Sequence, residues 1–278
     1  MFWCEAFWYA RQTKEDIEKD GVGDKHMCMN SPEGLTTALF YYFCGDEDVM
    51  NWLATVCSTW IFYSRHTTGR SDSKPMGDAS FGGVTLANKM VARSGFIMAL
   101  SYIMIRAYGL EQPHNSLMKE HDTLVLVKDV CAAVAPFRAG PMVFQWHEIP
   151  TYMGCFGADR PKKTEIIANW QGARQLTRRI AESGRSFPSL EESGIGFIRS
   201  DGRVTGLEGV KQTQAYTVDF AMAVYNAWKV HWADIDRSDF DVQVPLRHVL
   251  PAIGDQRAKN AWAIAEFGES LDLFRGRI

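Results

Sequence analysis

The chain has no surplus of either charge. Its 278 residues carry 30 Lys and Arg against 33 Asp and Glu, a formal charge of −3, with a pI near 6.2. Any surface for a polyanion must therefore be a local patch and not a property of the whole molecule. There is no long hydrophobic run either. Val49 to Ser64 is uncharged, but Asn51, Thr55, Ser58 and Thr59 interrupt it at helical spacing, and Ser94 to Ile105 is closed by Arg93 and Arg106. Both fall short of the ~18 apolar residues that a membrane span requires. They read as core helices, and no membrane partner is expected. The start, Met1-Phe2-Trp3-Cys4-Glu5, lacks the basic residues and small-residue cleavage site of a signal peptide.

Cysteine is sparse and unpatterned. Cys4, Cys28, Cys44, Cys57, Cys131 and Cys155 form no C-x-x-C pair, and most have apolar neighbours. Free thiols in an intracellular, reducing compartment are the expectation. Metal and nucleotide motifs are missing as well. The seven histidines give no H-x-x-x-H and no His/Cys pairing, and there is no Gly-x-Ser-x-Gly elbow and no phosphate loop. No metal and no cofactor is predicted, no catalytic residue is assigned, and whether the chain is an enzyme is left open. Asp234, Asp236, Asp239 and Asp241 are the main acidic group, but they lack the central glycine and closing glutamate of a calcium loop. They read as helix caps and a solvated loop.

What is present is enough apolar material for a large core: 46% hydrophobic residues against 23% charged, with nine tryptophans and sixteen phenylalanines. Ser31-Pro32-Glu33 offers a cap with proline in the first turn, so a helix should run to Phe43. Apolar patterning predicts further helices over Val49–Tyr63, Thr85–Tyr108, Thr164–Glu182, Glu208–Val230 and Asp255–Phe274, with Gly109 ending the second of these. The Thr164–Glu182 helix rests on Ile166, Trp170, Ala173, Leu176 and Ile180 sharing one face. Leu124-Val125-Leu126-Val127 reads as strand and helix alike. Ser64 to Gly83 is polar, carries Gly69, Pro75 and Gly77, and reads as a loop. Asp201-Gly202 between short apolar arms signals a β-hairpin. The expected fold is thus mainly α, a multi-helix globular domain with one small hairpin near Asp201-Gly202. It forms a single domain over residues 1–278, or two helical lobes, 1–140 and 141–278.

Positive charge concentrates twice. Arg160, Lys162, Lys163, Arg174, Arg178, Arg179 and Arg185 face only Asp159, Glu165 and Glu182. On a helix Arg174 and Arg178 would share a face, where guanidinium forks can clamp successive phosphates. Arg65, His66, Arg70 and Lys74 in the loop, with Lys89 and Arg93 four apart, make a second group. His147-Glu148 is a potential acid–base pair, although neighbours on a strand point to opposite faces.

Leu207-Glu208-Gly209-Val210-Lys211-Gln212-Thr213-Gln214-Ala215 resembles the hairpin of helix-hairpin-helix DNA glycosylases. The resemblance covers nine residues and rests on Gly209, Val210 and Ala215. It implies that glycine-bearing backbone amides hold a DNA phosphate at a helix N-terminus. This chain has Lys211 where that family has a second glycine, and Thr213 where bifunctional members carry a lysine nucleophile. Asp234 and Asp236 lie slightly beyond the place of the family's catalytic aspartate.

Together these features favour a nucleic-acid-binding, RNA-binding helical protein of the nucleoprotein or coat type, self-associating. Arg65, Arg70, Lys74, Lys89, Arg93, Arg174, Arg178, Arg179 and Arg185 would hold the phosphate backbone. The alternatives are a nucleobase-acting enzyme that uses the Gly209 region as a phosphate clamp with Asp234 or Asp236 as its acid, and a non-catalytic scaffold.

Overall fold

The structure, a computed structural model, describes residues 29–44, 49–103, 106–134, 145–187, 196–198, 204–206 and 216–233. Helix α1 spans Pro32–Cys44, and Ser31 caps it by accepting from the Gly34 N–H at 2.8 Å. Strand β1 is Met50–Leu53. Residues 54–81 form turns, with one helical turn at Arg65–Thr68. Then come α2, Gly82–Ile103, β2, Ala107–Pro113, and α3, Asp122–Val134. Strands β3, His147–Tyr152, and β4, Lys163–Ala168, follow. Two short strands, β5 Gly196–Ile198 and β6 Val204–Gly206, pair antiparallel on either side of Asp201-Gly202. Helix α4 is Val218–Ala233.

The mainly α expectation is overturned by a four-stranded mixed sheet of order β1-β2-β4-β3. β1 runs parallel to β2, while β4 is antiparallel to both β2 and β3. The architecture is mixed α/β. Strand alternation sends Tyr108, Leu110 and Ile167 to one face, where they join Val91, Met98 and Tyr102 of α2 and Leu124, Val127 and Cys131 of α3. Ala107, Ile149, Ile166 and Ala168 point the other way and pack on Phe220, Val224, Ala227 and Trp228 of α4. α1 lies outside α2, through Leu35, Leu39 and Tyr42 against Met90 and Ile97. Helices therefore cover both faces of the sheet, which explains why β2 and β4 are buried along nearly their whole length.

Several element boundaries differ from expectation for identifiable reasons. Val49–Tyr63 is not a helix, since its first residues form edge strand β1 and the rest forms turns. The second long helix ends at Ile103, and Tyr108 and Gly109 belong to β2. Gly109 is needed there because a side chain would collide with the Trp52 ring of β1, 2.5 Å from its would-be Cβ. Thr164–Glu182 is strand β4 followed by 3-10 turns at Gln171–Leu176 and Ile180–Ser183. Leu124–Val127 is helical, inside α3. The final helix covers 218–233, while residues 208–215 and 255–274 lie outside the described residues.

Candidate functional site

The two basic groups have different fates. In the 64–83 segment the Arg70 guanidinium is only 2% exposed and lies 3.3 Å over the Trp60 ring. It donates to the Pro75 carbonyl at 2.6 Å, to Asn88 Oδ1 at 2.9 Å and to Thr59 Oγ1 at 3.3 Å. The polar segment is therefore not a free excursion: it wraps a buried cation, and burial lowers the Arg70 pKa to about 10. Arg93 is also buried, donating to the carbonyls of Met29 at 2.6 Å and Ser31 at 2.8 Å, which fixes the entry to α1. Neither guanidinium is open to an outside phosphate. Arg65 is half-buried, 3.6 Å from Asp72 and 5.5 Å from the Phe62 ring centroid. Lys74 is exposed and Lys89 half-buried.

The second group stays at the surface. After β4 the chain turns away through Trp170, whose ring packs edge-on against Trp228 at 5.4 Å. Residues 171–187 then run as successive 3-10 turns over the α4 face of the sheet. Ala173 and Leu176 point inward, while Arg174 and Arg179 are exposed. Arg178 lies 5.5 Å over the Phe156 ring and donates to the carbonyls of Gln175 and Thr177 at 2.8 and 2.7 Å. Arg185 stacks 5.3 Å over Phe187 and donates to the Ala158 carbonyl at 2.9 Å. Aromatic rings and carbonyls thus hold Arg178 and Arg185 at the surface, and the Arg185 guanidinium also lies 3.9 Å from Asp159. The sheet separates this edge from α2 and Arg70, so the two basic groups do not form one groove.

Patterning did not reveal two ionisable clusters on the sheet, the first largely buried and the second partly exposed. At the end of the sheet, Tyr216 donates its phenol to Glu111 Oε2 at 2.9 Å, and Lys162 Nζ lies 3.5 Å from Glu111 Oε1. Lys162 holds a left-handed backbone, φ 20°. Burial, reinforced by the Glu111 charge, pushes the Cys57 thiol up to about 11, so at neutral pH it is a thiol and a poor nucleophile. On the opposite face Lys119 bridges Glu165 at 3.3 Å and Glu148 at 3.5 Å. Glu148 also accepts from Lys128 at 2.8 Å and from the Trp146 indole at 2.9 Å. His147 is buried on the α4 side beside Arg174 and His231; burial first, then the Arg174 charge, drives its pKa down to about 4. His147 and Glu148 therefore face opposite sides of the sheet and cannot act as a pair.

Each cluster draws on residues far apart in sequence, such as 111, 162 and 216, with no local motif to reveal them. The first ties β2 to Lys162 and Tyr216 in the connecting chain, and the second ties β3 and β4 to Lys119 and to Lys128 of α3. Among the described residues no group of three His, Cys, Asp or Glu side chains is placed to hold a metal ion, and no helix is long and apolar enough to cross a membrane. Gly209, Lys211, Thr213, Asp234 and Asp236 lie outside the described residues. No family model, curated protein or solved structure matches this chain.

Proposed function

We propose that this chain is a nucleic-acid-binding protein that holds phosphates along the edge built by Arg174, Arg178, Arg179 and Arg185. One observation carries the reading: four guanidiniums emerge within 12 residues of irregular surface chain, and Glu182 is the only acid between 171 and 187. A near-neutral molecule with one such edge attracts polyanions locally, and guanidinium forks suit phosphate oxygens. Arg65, Lys74 and Lys89 lie on the other side of the sheet and play no part. Arg70 and Arg93 hold the fold.

The test is binding of a labelled single-stranded oligonucleotide at increasing salt. Each phosphate contact contributes a slope of about 0.7 in log K against log salt for a single strand. Arg174→Glu with Arg179→Glu, which keep the backbone carbonyls that close the two turns, should flatten the slope by ~1.4 or more and weaken all sequences alike. Unchanged salt dependence in that variant, or no binding by the parent at low salt, refutes the proposal. Assembly into a nucleoprotein is a separate step, which light scattering with and without the oligonucleotide would report.

A further inference from the structure

Helix α1 is apolar on both sides. Leu35, Ala38, Leu39 and Tyr42 are buried towards α2, yet Phe40, Tyr41 and Phe43 are 59%, 47% and 45% exposed on the outside. At 100° per residue Phe40, Phe43 and Cys44 share the outward face, and Cys44 is an exposed free thiol at the end of the helix. Burying an aromatic removes ~150–250 Å², so at about half exposure these three leave on the order of 300 Å² of apolar surface in water. That is the scale of the largest apolar patch on a typical monomer, which is often functional.

We propose that this face is the docking site for the chain's own first nine residues. Met1-Phe2-Trp3-Cys4-Glu5-Ala6-Phe7-Trp8-Tyr9 holds five aromatics and a single charged side chain, which complements an aromatic, uncharged face. Connectivity favours the segment of the same chain over that of a second copy. Met29 is buried among α1 and α2, and its carbonyl is held by Arg93, so the preceding chain arrives at the start of α1. Residues 10–28 are a tether of 19 residues, rich in Lys, Arg, Asp and Glu. Nineteen residues reach at most ~65 Å, and α1, at 13 residues, is about 20 Å long, so the whole face lies within reach. Attachment within one chain raises the effective concentration of the segment above that of a second copy at ordinary dilution.

Cys4 in the segment and Cys44 on the face provide the test. In full-length protein with Cys28, Cys57, Cys131 and Cys155 changed to Ala, a short bismaleimide at low protein concentration should join Cys4 to Cys44 within one chain, read by peptide mass mapping. Phe40→Ser with Phe43→Ser should cut the yield about tenfold, towards that of the urea-unfolded chain. Both side chains are largely solvent-exposed, so the fold should survive, and circular dichroism checks it. Trp3→Ser with Trp8→Ser, which changes no described residue, should have the same effect. A link between two chains assigns the face to a second copy and overturns the proposal. A yield indifferent to both double variants shows that only the tether is being read, and overturns it equally.

Discussion

Asn169 closes the end of the sheet with one side chain. Its Oδ1 accepts from the Tyr108 N–H at 2.7 Å and its Nδ2 donates to the Arg106 carbonyl at 2.8 Å, all buried. Asn169→Ala would leave a backbone donor and an acceptor without partners, a loss of about 1–3 kcal/mol in urea unfolding. A neutral change there would mean that water replaces the amide. Two histidines set a pH dependence. Burial, with the Arg70 charge second, pushes His121 down to about 3, and burial with Arg174 and His231 pushes His147 down to about 4. An unfolded histidine titrates near 6.5, so between there and about 4 the unfolded chain binds more protons than the folded one. The stability from keeping both imidazoles neutral is complete above pH ~6.5 and is lost as pH falls through that window. Each histidine contributes up to ~1.4 kcal/mol per pH unit. Urea midpoints from pH 7 to 4.5 should show this slope, and His147→Gln should remove one proton's share. An unaltered slope in that variant would show that His147 is not held neutral.

At the scale of elements, α1, α2 and α4 follow from capping and apolar patterning, whereas the sheet was illegible for a physical reason. β2 and β4 are covered on both faces, so they lack the alternation of a half-exposed strand. Ala107-Tyr108-Gly109-Leu110 also continues the apolar run of α2, and Gly109 imitates a helix terminator. Trp52 explains that glycine: Gly109→Ala should destabilise by ~1–3 kcal/mol through overpacking against the ring, and a harmless substitution would mean that the β1–β2 contact is loose. The misread Thr164–Glu182 helix is instructive too. Trp170, Ala173 and Leu176 are buried as expected, but at intervals of three they match the 3.0 residues per turn of a 3-10 helix. Ile166 joins them through strand alternation. The pattern identified four of its five inward residues, Ile180 being only half-buried, and mistook the element. It also left Arg174 and Arg179 at the surface, so the exposure of these two candidate residues was legible. That Arg70 and Arg93 turn inward was not legible, because burial of an arginine depends on the carbonyls that only the fold gathers.

Over the described residues, a mixed α/β body presents an arginine edge on its α4 side, while Arg70 and Arg93 beyond the sheet serve its interior and Arg65, Lys74 and Lys89 stand apart. That edge is where the proposal places nucleic acid. Amide hydrogen exchange of the 278-residue chain with and without a single-stranded oligonucleotide at low salt reads that place directly. Slowed exchange confined to residues 171–187 and the neighbouring 158–163 turn is the predicted result. Slowed exchange over 64–93 instead, or no change anywhere at saturating oligonucleotide, would contradict it.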